Sequence, residues 1–268
     1  MIEVKHFEEV TQFKMGRDIE GQVLYWVAAY LVDGLLIDTG CSYTAKELAK
    51  LLKGEPLKLA VNTHYHEDHV GANNILKQKF GIKIFASPES IPFINDIPKL
   101  LPYQEYIWGY PEPTRVEPLP EKLETTHFHF DVISTPGHCK GHVVLVELTK
   151  GWCFSGDLFF SRDPMAVRPE DDITEIVKSM KKLIALKTDR LILFTSLGNV
   201  VQDGRESLHE CIQYFKNLAQ RAKELQKQGL SPGAIRDQIF GRETVLAEPT
   251  EGDFSAENMI RAVLRANT

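Results

Sequence analysis

Apolar residues along this chain fall into short runs of strand length, bounded by turn signals and alternating with longer amphipathic stretches. Residues 22–38, QVLYWVAAYLVDGLLID, read as two buried strands joined at Asp33-Gly34, a dipeptide suited to the positive φ angles of a tight hairpin. The stretch from Thr44 to Glu47 carries a capping-box pattern that predicts a helix start, and Gly54 stands where that helix should stop. Residues 57–62 predict a short buried strand, 71–80 a helix closed by Gly81, and 82–86 another strand. The second half repeats this order. Strands are predicted at 127–134, 143–148 and 152–155, then a helix over 172–187 whose N-terminus Asp172 and Glu175 favour. An apolar strand at 191–195 and a long helix over 205–228 follow. The tail is helical: Ser231-Pro232 fits an N-cap followed by proline at the first helical position, and 255–266 is amphipathic, with 241–253 a polar link.

Residues 88–120 break the pattern. They hold eight of the fourteen prolines and the aromatics Phe93, Tyr103, Tyr106, Trp108 and Tyr110. This composition predicts a long structured loop with a helical turn or two, either a lid or a plain surface insertion. The shared order of strands, helix, strand, helix suggests two sheets packed face to face with helices outside. Periodicity by itself establishes only a mixture of α and β.

Composition narrows the classes. Of 268 residues, 43% are hydrophobic and 25% charged, as in an ordinary globular protein. The net charge of −6, without a basic block, lacks the footprint of a nucleic-acid binder. Cys41, Cys139, Cys153 and Cys211 lie far apart and form no C-x-x-C pair, so neither a disulfide framework nor a thiolate zinc site is expected. The start, MIEVKHFEEV, does not read as a signal peptide. The most apolar stretch, 23–37, is interrupted by Asp33-Gly34 and is too short to cross a bilayer. A cytoplasmic protein is expected, with a small-molecule substrate and no nucleic-acid or membrane partner.

The chemistry concentrates in Asn62-Thr63-His64-Tyr65-His66-Glu67-Asp68-His69, where three imidazoles and two carboxylates follow an apolar strand and precede a helix. In extended chain His64 and His66 point the same way, while Asp68 and His69 turn toward a neighbouring position. Imidazoles so placed suit zinc, whose catalytic sites use three protein ligands and keep a position for water.

This H-x-H-x-D-H segment resembles the signature of the metallo-β-lactamase-fold superfamily, and other landmarks agree in order. Leu36-Ile37-Asp38-Thr39-Gly40 is similar to the family's early strand-end motif, Thr135-Pro136-Gly137-His138 to the next, and Phe154-Ser155-Gly156-Asp157 to the fourth. The resemblance covers about 36–200. It implies an α+β, four-layer αββα sandwich over 1–204, with 205–268 supplying the last helix of the sandwich and a C-terminal helical extension. It further implies that His64, His66 and His138 bind a first metal, that Asp68 and His69 bind a second, and that Asp157 bridges them. Zinc is the expected cofactor, as one or two ions, with iron the alternative. Asp68 would also steer or deprotonate the nucleophilic water.

One departure matters. The family's fifth motif supplies a histidine after a late strand, where this chain has Leu197 in Phe194-Thr195-Ser196-Leu197-Gly198. The second site should therefore be weakened, and His209, inside the following helix, is a poor replacement. His127 and His129 read as exposed strand residues and Cys139 as an inert buried thiol. His142 would either stand behind the ligands or simply begin the next strand, and Arg168 would either meet an anionic substrate or serve surface packing. The C-terminal helices and the 88–120 loop would shape the pocket entrance or a homodimer contact.

The resemblance implies a zinc-dependent hydrolase acting on a small thioester or acyl ester. The alternatives are an iron persulfide dioxygenase using His64, His138 and Asp157, and a non-catalytic binding protein on the same fold.

Overall fold

Side chains alternate along an extended strand, so a strand buried on both faces must serve two cores at once. The computed structural model, which describes residues 1–267, is built around strands of this kind. β1 (Ile2–Phe7) and β2 (Val10–Met15) are followed by a small separate hairpin of β3 (Asp18–Ile19) and β4 (Gln22–Val23). β5 (Val27–Val32), β6 (Leu35–Ile37), β7 (Leu59–Val61), β8 (Lys83–Ala86) and β9 (Glu117–Pro118) complete a seven-stranded sheet ordered β1-β2-β5-β6-β7-β8-β9. β10 (Lys122–Glu124), β11 (His129–Ser134), β12 (Val143–Glu147), β13 (Trp152–Gly156), β14 (Ile192–Thr195) and β15 (Val200–Val201) form a six-stranded sheet in chain order.

The alternation sorts residues between cores. In β5, Ala28, Tyr30 and Val32 meet Phe130, Leu145, Trp152, Phe154 and Phe194 between the sheets. Val27, Ala29 and Leu31 turn outward to α1 (Ala45–Leu51) and α3 (Asn73–Phe80). In the second sheet Val144, Val146, Cys153 and Leu193 face the opposite outer layer, made by α6 (Ile173–Ile184), α7 (Gly204–Lys227), α8 (Pro232–Phe240) and α9 (Ala256–Arg265). The result is the αββα sandwich. On α7, Leu208, Cys211, Ile212, Phe215, Leu218, Ala219, Ala222 and Leu225 recur at helical spacing and share that outer core with Ile235 of α8 and Met259 and Val263 of α9.

Local chemistry sets most boundaries. Asp33 and Gly34 both take positive φ (47° and 84°), as the predicted hairpin turn requires. Asp172 accepts from the backbone N–H groups of Thr174 and Glu175, and Ser231 from that of Ala234, so both predicted caps form. The capping box at Thr44 does not. Thr44 already has helical backbone angles at the end of a 3₁₀ turn, and its hydroxyl donates to the Cys41 carbonyl instead. The helix expected at 71–80 is preceded by a separate turn, α2 (Glu67–Val70), which carries Asp68 and His69. In the 88–120 segment, α4 (Ile91–Asn95) and α5 (Pro102–Trp108) precede β9.

β6, β7 and β8 run parallel, as do β13 and β14, so their C-terminal ends open on the same edge of each sheet. Gly71 locks the loops there. A Cβ on it would stand 2.3 Å from the Cys41 carbonyl carbon and the Ser42 nitrogen. Its backbone angles (φ −59°, ψ −31°) are helical, where propensity alone favours alanine. Gly71→Ala is nonetheless expected to lower unfolding free energy by about 1–3 kcal/mol in urea denaturation, because overpacking outweighs propensity. A neutral or stabilised variant would contradict so close a crossing.

Candidate metal centre

Asp38 follows β6, residues 62–69 follow β7, His138 follows β11, Asp157 follows β13 and Ser196 follows β14. The two sheets thus deliver every candidate group to one edge. Asp38, held at φ 59°, is an organising anion. Its Oδ1 accepts from the Thr63 backbone N–H (2.8 Å), and its Oδ2 accepts from Thr63 Oγ1 (2.8 Å) and His69 Nδ1 (2.8 Å). With its proton given to Asp38, Thr63 Oγ1 accepts from His64 Nδ1 at 3.0 Å. Asp171 Oδ1 accepts from His138 Nδ1 at 3.0 Å. With each outer nitrogen engaged in this way, Nε2 of His64, His69 and His138 is the ring nitrogen left to face inward and serve as a ligand.

These lone pairs meet. His66 Nδ1 lies 3.1 Å from His64 Nε2 and 2.9 Å from His138 Nε2. Asp157 Oδ2 lies 3.2 Å from His138 Nε2 and 3.9 Å from His64 Nε2. All four donor atoms fall within 4.8 Å of one another, on buried residues. Around a tetrahedral ion with bonds of about 2.0–2.1 Å, neighbouring donor atoms stand about 3.3–3.4 Å apart. One His66 nitrogen cannot satisfy two facing acceptors by hydrogen bonding, whereas a cation satisfies all four groups together. This is a metal-binding site, and the residues fit the ion.

A second, smaller set adjoins it. His69 Nε2 lies 3.2 Å from Asp157 Oδ1 and 3.7 Å from Asp68 Oδ2, so the two oxygens of Asp157 face the two sets. His69 Nε2 and Asp68 Oδ1 are buried without a hydrogen-bond partner. Leu197 is half-buried, and among the described residues no imidazole reaches this set from the end of β14; the buried Ser196 hydroxyl stands there beside Asp157.

Burial drives His64 and His66 well below the ordinary imidazole range, which suits neutral ligands. Burial would lower His138 and His69 too, but it is outweighed for His138 by Asp157 and Asp171, and for His69 by Asp38, Asp68 and Asp157, so both are raised. Burial lifts the Asp68 carboxyl to about 6. His142 is wholly buried and held down to about 3 by the same cause; its Nε2 accepts from the Asp157 backbone N–H (3.1 Å), and its Nδ1 donates to Thr135 Oγ1 (2.9 Å). It therefore stands behind Asp157. Gly156 is required beside it, because a Cβ there would lie 2.7 Å from His142 Nε2. The Cys139 thiol is buried and pushed up. His127 and His129 are exposed beside Asp33 and Glu124, and His209 is exposed on α7.

Over the donors lies a small cavity of about 30 Å³, whose wall includes Tyr25, Trp108, Phe160, Arg168, Leu246 and Phe254. Helix α5 supplies one side, and the linker between α8 and α9 supplies another.

A family model described as the metallo-beta-lactamase superfamily matches residues 27–195. The chain belongs to that superfamily. It is 31% identical over 159 residues to a hydroxyacylglutathione hydrolase of Haemophilus influenzae, covering 56% of this chain and 73% of that protein. A metallo-beta-lactamase family protein from Thermus thermophilus superimposes with a TM-score of 0.68 at 18% identity, covering 94% of this chain and 91% of that one. A second solved structure, TTHA1623 in a di-iron-bound form, gives a TM-score of 0.56 at 27% identity, covering 69% of this chain and 93% of that one. The chain is a metal-dependent hydrolase of this superfamily. No helix among the described residues is long and apolar enough to cross a membrane.

Sequence reading missed Asp171, Thr63 and the cavity wall from Tyr25, Phe160, Leu246 and Phe254. Asp171 had one signal, its place in an acidic run before a helix; the linker residues had none. Asp171→Asn should weaken metal affinity about 10- to 100-fold in chelator competition, since it removes the anion that orients His138. Unchanged affinity would mean that His138 is positioned by packing alone.

Proposed function

We propose that this protein is a zinc-dependent hydrolase of a small thioester or acyl ester. The observation that carries the reading is the four-donor cluster opening on an apolar cavity, with one buried carboxylate, Asp68, left free of hydrogen bonds beside it. The name of the Haemophilus influenzae relative, a hydroxyacylglutathione hydrolase, supports a thioester.

In this reading His64, His66, His138 and Asp157 hold the ion. When bound, the ion supplies Lewis acidity that makes water nucleophilic near neutral pH and draws charge from the scissile carbonyl. Asp68 Oδ1 takes the proton of the attacking water. A carboxyl lifted to about 6 by burial is better matched to that task than an exposed one. Asp38, through Thr63 and His69, keeps the imidazole tautomers fixed, and His142 holds the Asp157 backbone. The aromatic wall excludes bulk water and strengthens each of these interactions. Asp68 and His69, with Asp157, would hold a second ion less firmly, because no histidine joins them from the end of β14.

The di-iron form of TTHA1623 favours iron as a second reading of the metal. Protein produced without added metal and analysed for bound elements separates the two. Zinc, with thioester turnover that is lost on chelation and restored by zinc, is expected. His66→Ala should lower kcat/KM by about 10³-fold or more, since metal activation of water goes with the ligand set. Iron with oxygen consumption on a persulfide would replace this function with a dioxygenase, and a folded protein with neither activity would leave a binding protein.

A further inference from the structure

We propose that Arg168 is the receptor for a carboxylate on the substrate, so that the site takes an anionic thioester or ester in preference to a neutral one. The inference rests on the hydrolytic reading above and names its substrate class.

Arg168 is more than nine-tenths buried and lines the cavity beside Asp68, His138 and Asp157. A guanidinium presents a rigid fork of N–H donors. Among the described residues its side chain makes one hydrogen bond, from Nη2 to Glu67 Oε1 at a long 3.4 Å. That oxygen already accepts from Gln104 Nε2 at 2.9 Å. The guanidinium carbon lies 5.9 Å from the centre of the Trp108 ring. Glu67, Asp68 and Glu170 supply counter-charge around this buried guanidinium, yet the one stretched contact to Glu67 is its sole side-chain hydrogen bond among the described residues, so most of its N–H donors are unused. Arg168 lines the cavity, where a planar carboxylate could engage two of its N–H donors in parallel.

The backbone places this fork in a set relation to the metal donors. Asp171 Oδ2 accepts from the Arg168 N–H at 2.8 Å while its Oδ1 accepts from His138 Nδ1. One carboxylate thus fixes both the ligand and the receptor. Access comes from outside: Tyr103, Ile107 and Thr250 border this cavity and also an outer groove of about 660 Å³. The Tyr103 hydroxyl, which donates to Asp253 Oδ2, ties helix α5 to the linker across that passage. The carboxylate can belong to the acyl part or to the leaving group, since both lie beside the scissile bond.

The test is binding to the zinc-loaded full chain, by calorimetry, which needs no turnover. Glutarate is compared with butyrate for the acyl side, and 3-mercaptopropionate with 2-mercaptoethanol for the leaving-group side. In each pair one end can reach the metal, and only the acidic compound can also reach Arg168. An affinity preference of about tenfold for the acidic member is expected in at least one pair, which also identifies the side. The preference should vanish in Arg168→Met. Because that change leaves Glu67 buried without its cation, the double variant E67Q/R168M carries the same prediction. No preference in the wild-type protein, or one that survives in either variant, overturns the proposal. A wild-type preference abolished by these variants, in a protein that hydrolyses no thioester or ester, would overturn the hydrolase reading and leave Arg168 as a carboxylate receptor.

Discussion

Four lone pairs gathered within 4.8 Å of one another are repulsive unless something positive stands among them. That constraint organises the structure. Desolvating His64, His66, His138 and Asp157 is unfavourable for each group alone, and a protein that buries them together must recover the loss by coordination. The surrounding hydrogen bonds point to the same end. Thr63 and Asp171 take the outer ring protons of His64 and His138, and so turn both rings into inward-facing ligands.

The sandwich makes this arrangement possible. Parallel pairing of β6, β7 and β8 in one sheet, and of β13 and β14 in the other, brings loops distant in sequence to one edge. The aromatic layer between the sheets joins the two halves, with Tyr30 of β5 packed 5.5 Å from both Phe154 and Phe194 of the second sheet, just behind Asp157 and Ser196. Above the cluster the enclosure comes from elements outside the core of the sandwich. Helix α5 and the linker carrying Leu246, Thr250 and Phe254 narrow the space over the cluster to about 30 Å³, bordered by the outer groove. Metal chemistry therefore belongs to the strand ends, and selection of what reaches it belongs to the cover.

Much of this was legible in the chain. His64, His66, Asp68 and His69 declare themselves because ligand spacing within one short segment survives any reasonable folding of it. His138 and Asp157 were legible only through resemblance, since nothing local ties either to the first segment. The hairpin at Asp33-Gly34 and the caps at Asp172 and Ser231 follow from backbone chemistry acting over a few residues. Strand β1 was missed, because most of its side chains are exposed and its Ile2-Glu3-Val4-Lys5 alternation is too short to decide the matter. Thr44 shows the opposite failure: a good local motif was overridden once the chain entered the helix through a 3₁₀ turn. Arg168 could be read either way from sequence, because whether a lone arginine in a proline-rich loop faces solvent or a cavity is decided by the cover packed over it. Leu246, Thr250 and Phe254 lie in a polar link whose partners are more than 70 residues away, and composition alone carries no trace of such contacts.

X-ray absorption at the metal edge of the purified protein tests the central claim most directly. The edge identifies the element, and its fine structure reports the donors. Nitrogen and oxygen scatterers at about 2.0–2.1 Å, with the multiple scattering of imidazole rings and no sulfur, are the predicted result. A sulfur shell at about 2.3 Å, or a metal surrounded by oxygen alone, would contradict coordination by His64, His66, His138 and Asp157.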